Sequence, residues 1–156
     1  MQSPQELPGH PCNTALLDFL RRQASPPSGP DDYTLETWQL HTHPDLIQRL
    51  GELAPGWPIT AAYGVPILAS QGIAAAVALG TDWLAVRTGH LPPGIETADP
   101  APEWSSAQGN WYAVSPWQSH LSAADGTRAL RELIAAALTQ AAGLADNQPG
   151  GPSRKS

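Results

Sequence analysis

The residues best suited to chemistry in this chain sit together at His41-Thr42-His43-Pro44. In an extended segment, side chains two apart point to one side, so His41 and His43 have the spacing that zinc ligation can require. With a carboxylate from elsewhere, the pair would serve a small metal-dependent hydrolase. A plainer reading exists for the same residues. It is a strand-to-helix corner with one histidine near the N-cap, Pro44 at the first helical position and Asp45 favoured by the helix dipole. Three other groupings are weaker. Ser119, His120 and Asp125 are the right types for a hydrolase triad, but no strand–GxSxG–helix context surrounds them. His10 and Cys12 flank Pro11 in a proline-rich stretch, whereas a reactive thiol needs a rigidly held partner. Glu96, Asp99 and Glu103 lie in a loop without the glycine-centred geometry of an EF-hand. Neither phosphate-binding glycine motif is present. These residues favour no cofactor and, on balance, no catalytic activity.

The HTHP run resembles the HxHP segment of the JAMM metalloproteases. That family continues with a serine and an aspartate at fixed spacing. Here those positions hold Glu52 and Pro55, so the resemblance covers four residues only.

The tryptophans are the most unusual feature, six against a single phenylalanine. In a strand over Trp83 to Thr88, Trp83 and Arg87 share one face. In another over Trp111 to Trp117, Trp111 and Trp117 share one face. If the two faces coincide, Trp83, Arg87, Trp111 and Trp117 form an aromatic patch with a cation beside it. Tryptophan and arginine are enriched at binding hot spots. The competing reading is a core, because tryptophans bury most of their area.

The elements that would position these residues centre on Trp57 to Thr88. Its formal charges are Asp82 and Arg87 alone, and glycines cut it into short strands. Trp57 to Tyr63, Val65 to Ala69, Ile73 to Leu79 and Trp83 to Thr88 read as strands, with Gln71-Gly72 and Gly80-Thr81-Asp82 as turns. Regular alternation would put Ala74, Ala76 and Ala78 on one face of the third, fit for close packing by a helix. Before this stretch, Asn13 is a good N-cap for a helix over Thr14 to Ala24. Tyr33 to His41 suits an edge strand, and Leu46, Ile47, Leu50 and Leu53 mark a short helix. After it comes a proline-rich segment from Gly89 to Gly109. A strand over Trp111 to Trp117 follows, then a helix over Gly126 to Gly143, capped by Ser122 or Asp125. Short turns imply antiparallel pairing. The expected fold is α+β: an antiparallel meander of about five strands with the terminal helices packed on one face, a two-layer sandwich. Residues 13–144 would form one domain, between a flexible N-terminus (1–12) and a disordered tail (145–156).

Composition bounds the function. At 156 residues and 41% hydrophobic content, the chain can build one core. A net charge of −6 argues against nucleic acid as a partner. No run approaches the ~18 apolar residues of a membrane helix, and the N-terminus lacks a signal-like apolar region. A lone cysteine cannot form an internal disulfide. Arginine-over-lysine usage with abundant alanine, proline and glycine fits a bacterial cytoplasmic protein. The expectation is a small binding or protein-interaction module, acting on a protein partner or as a homodimer.

Overall fold

The structure, a computed structural model, describes residues 5–6, 11–23, 34–35, 38–39, 42–80, 83–89, 91–97, 104 and 111–146. Its elements are β1 (Gln5–Glu6), α1 (Thr14–Gln23), β2 (Thr34–Leu35), β3 (Trp38–Gln39), α2 (Pro44–Leu53), β4 (Thr60–Ala62), β5 (Val65–Ser70), β6 (Ile73–Leu79), β7 (Trp83–Arg87), β8 (Trp111–Val114) and α3 (Ala123–Asp146). The fold is α+β. β4 to β8 form the expected antiparallel meander in chain order, and β1 adds a short parallel edge through Gln5↔Thr60 and Glu6↔Ala61. That pairing holds two residues of the segment read from sequence as flexible. The positions of the expected tail beyond 146 lie outside the described residues.

Tight turns set the meander. Tyr63-Gly64 and Gln71-Gly72 both have positive φ at each residue, 50° and 83° in the first and 53° and 81° in the second. Two such residues match the twist of a two-residue hairpin, and glycine at the second relieves the strain. The chain therefore reverses at Tyr63-Gly64. Tyr33 to His41, expected as one strand, contains the separate pair β2 and β3, joined by Thr34↔Gln39 and Leu35↔Trp38. Neither face of that stretch is apolar enough to hold a single long strand on the sheet.

One irregularity decides which side chains face which helix. Leu68 pairs with Ala76 but Ala69 pairs with Ala74, so Ala75 is an extra residue in β6. Such a bulge breaks the two-residue period. Ile73, Ala75, Ala76 and Ala78 lie with α2 and α3, while Ala74 and Val77 lie on the opposite side. The small face that admits a helix is thus Ala75, Ala76 and Ala78, not a strict alternation. α3 lies across β5, β6 and β7 there, burying Leu130, Leu133, Ile134, Ala137, Leu138 and Ala141. Each fully buried aliphatic side chain contributes about 1.5–3 kcal/mol. Ser122 caps α3, its Oγ accepting from Asp125 N at 3.1 Å. The helix passes through Gly143 to Asp146.

The two terminal helices take opposite faces. Leu16 and Leu20 of α1 are buried with Ala62, Val65, Ile67 and Ala85, on the side of the sheet away from α3. The physical reason is that the meander is buried on both faces. Ile67 and Val77 on that side need an apolar cover as much as Leu68 and Ile73 do on the other.

Where β7 stops pairing, side chains continue the ladder. Beyond the Ala76↔Val86 pair, Ala74 has no partner strand on that side. Its carbonyl accepts from Arg87 Nε at 2.8 Å, and its N–H donates to Asn13 Oδ1 at 2.9 Å. Asn13 Nδ2 donates to Gly72 O at 2.8 Å, and Arg87 Nη2 to Cys12 O at 2.9 Å. Asn13, expected as a helix cap, thus ties the turn before α1 to the centre of the sheet. No helix among the described residues is long and apolar enough to cross a membrane.

Candidate functional site

The ladder pairs Arg87 directly with Trp111, so these two share a sheet face with Trp83. The Arg87 guanidinium carbon lies 4.7 Å from the Trp111 ring centroid. Trp104, from the proline-rich segment between Gly89 and Gly109, fits between them. Its ring is edge-on to Trp83 at 5.8 Å and to Trp111 at 5.5 Å, and lies 5.1 Å from Phe19 of α1. Three of the four expected patch residues therefore come together, but under a cover. Trp111 is 4% exposed, Trp104 3% and Arg87 3%. They belong to the core beneath α1, and Trp83 is half-buried beside them. The indole N–H groups of Trp104 and Trp111 are buried with no acceptor among the described residues.

Burial pushes the Arg87 guanidinium down from its ordinary value to about 10, with the Cys12 side chain acting in the other direction. It stays charged at neutral pH. The two carbonyls and the Trp111 face offset the cost of burying that charge.

Trp117 does not join this cluster. β8 ends at Val114, and the chain turns through Ser115-Pro116. Trp117 is 43% exposed, its ring 5.9 Å from the Arg49 guanidinium carbon on the α2 side. Arg49 is itself buried. Its Nε donates to Pro116 O at 2.8 Å, and its Nη1 to Thr127 Oγ1 at 2.9 Å and Glu52 Oε1 at 3.2 Å. It joins α2, the turn after β8 and α3.

The histidine corner is built as a helix start. His43 is the N-cap of α2, and its Nδ1 accepts from Asp45 N at 3.0 Å. Thr42 Oγ1 donates to Ala78 O at 2.7 Å, and His43 N to Gly80 O at 2.7 Å, fixing the corner to the end of β6. His41 lies outside the described residues. Of the acidic loop, Glu96 is held by Gln118, whose Oε1 accepts from Glu96 N at 2.6 Å. His120 Nε2 lies 2.7 Å from Gly94 O, and its Nδ1 is 3.5 Å from Glu96 Oε1. Asp99 and Glu103 lie outside the described residues. Ser119 and His120 are both exposed. Asp125 bonds Arg128 at 2.6 Å.

An apolar concavity lies elsewhere. A groove of about 410 Å³ opens between the end of α2, the end of β5 and α3. Leu53, Ile134 and Leu138 form its buried floor, and Pro55 and Trp57 form one wall. Gly56, at φ 78°, makes the turn that releases α2 and aims Trp57. The Trp57 indole is 39% exposed, yet pinned by its Nε1, which donates to Ala69 O at 2.9 Å. Among the described residues, the one charged side chain lining the groove is Arg131. Trp57 begins a stretch expected as a strand, and Arg131 falls within the expected helix over Gly126 to Gly143. They are 74 residues apart (131 − 57), and nothing local joins them. No family model matches the chain, and no curated protein or solved structure matches it either.

Proposed function

We propose that the chain is a small, non-catalytic binding module whose contact site is the groove beside α3. The observation that carries this reading is the solvent-open apolar floor walled by a pinned, part-exposed Trp57. A rigid indole presents a large contact area with little conformational entropy left to lose on binding. Among the described residues, the groove's other polar lining residues are Ser70, Thr139 and Arg131, a set suited to holding a partner rather than to transferring protons. The partner would be another protein or a second copy. The single cysteine and the arginine-over-lysine, alanine-rich composition support a bacterial cytoplasmic setting, and the net charge of −6 supports partners other than nucleic acid.

A photo-crosslinking residue at Ala135, exposed on the groove's lip, tests this in cells. It should yield a discrete adduct that Trp57→Ala abolishes, while the same residue at exposed Tyr112 should not. Equal adducts at 112 and 135, or adducts indifferent to Trp57, would refute the placement.

A further inference from the structure

Arg131 is held unusually for an exposed side chain. Its Nε donates to the carbonyl of Glu52 at 2.8 Å, which fixes the guanidinium against the last turn of α2. Its terminal amino groups have no partner among the described residues. A guanidinium fixed through Nε presents its remaining N–H groups as a fork that matches a carboxylate. Beside it lie the apolar floor and Trp57, in a volume of about 410 Å³, within the range that encloses small organic ligands.

We infer that this groove binds an amphipathic carboxylate, its apolar chain lying along Trp57, Ile134 and Leu138 and its carboxylate on Arg131. The inference rests on reading the groove as the contact site, and it names a small amphipathic occupant in place of a protein partner. Charge argues for the anion locally and against it globally. The chain carries −6 overall, so its long-range field favours a cationic head group. A preference for the anion can then come only from a local cation, which Arg131 supplies.

The test uses three probes with one tail and different heads: decanoate, decanol and decyltrimethylammonium, each below its micelle threshold. The readout is the Trp57 indole signal in ¹⁵N-resolved NMR spectra, assigned by its loss in Trp57→Phe. Decanoate should bind about tenfold tighter than decanol, the usual difference for a hydrogen bond to a charged group. The ammonium should bind no better than decanol. Arg131→Gln should bring decanoate down to the level of decanol while leaving decanol unchanged. Equal affinity of decanoate and decanol for the wild type would overturn the inference. So would an Arg131→Gln protein that keeps the decanoate preference. If no probe moves the Trp57 signal while the Ala135 crosslink still forms, the carboxylate inference fails and the protein-contact reading survives.

Discussion

Asn13 offers the sharpest test of how this sheet is held. Its side chain is fully buried, and it satisfies two backbone groups of the β5–β6 hairpin, Gly72 O and Ala74 N, across about 60 residues of sequence. Replacing it with alanine would leave the Ala74 N–H buried without an acceptor, at about 1–3 kcal/mol. Gly72 is only half-buried, so water could satisfy part of its lost bond, and the second cost should fall near 1 kcal/mol. The sum is about 2–4 kcal/mol, against a typical domain stability of 5–15 kcal/mol. In a chain of this size that lowers the melting temperature by roughly 10 °C.

Asn13→Leu keeps the same number and branching of side-chain heavy atoms and separates lost hydrogen bonds from a cavity. It should cost about as much as Asn13→Ala in urea unfolding. It should also speed hydrogen exchange at the Ala74 amide before that of β5 or β7. Arg87 holds the other polar group of Ala74, so Asn13→Leu and Arg87→Met should combine with a coupling near 1 kcal/mol rather than additively. An Asn13→Leu protein within about 0.5 kcal/mol of wild type, with Ala74 exchange unchanged, would show that the two side chains do not stand in for the missing strand.

Other outcomes follow from the same contacts. Arg49→Met should cost about 2–4 kcal/mol in denaturant titrations, and Arg49→Lys should recover little, because one ammonium cannot reach Pro116, Thr127 and Glu52 together. Gly56→Ala meets no atom within 4 Å but holds φ at 78°. It should cost about 1 kcal/mol, with a shifted Trp57 indole resonance reporting the altered turn. His43→Ala should cost about 1 kcal/mol as a lost N-cap. It should leave the metal content of the purified protein unchanged by mass spectrometry, whereas stoichiometric zinc lost in His41→Ala or His43→Ala would restore the hydrolase reading.

The meander was legible because its evidence is local. Gln71-Gly72 turns by its own backbone preferences, and Leu130, Leu133, Ile134 and Leu138 mark the face of α3 before any partner is known. The faces of β6 were not legible, since the pairing that makes Ala75 an extra residue is a relation between strands, and alanine carries no sign of a bulge. The aromatic grouping was half legible for the same reason. Parity put Trp83 with Arg87, but only the pairing of β7 with β8 brings in Trp111, and only tertiary packing brings in Trp104 and Phe19.

Ala75 links these misreadings to the site. If Ala75 were kept in regular register instead of bulged, Ala76 and Ala78 would part company with Ile73 and Ala75, and two small side chains would move to the α1 side. α3 would then meet Val77 where it now meets alanine, and its axis would have to stand farther from the sheet. The groove floor is made of Leu53 from α2 and Ile134 and Leu138 from α3. Its depth therefore depends on how closely α3 seats on β6. The pinned Trp57 hangs from Ala69, the residue of β5 at which the register shifts. The bulge at Ala75 thus bears on the seating of α3 and, through it, on the floor of the groove. Trp57 and Arg131, far apart in sequence, line one groove because the ends of α2 and β5 meet α3 there.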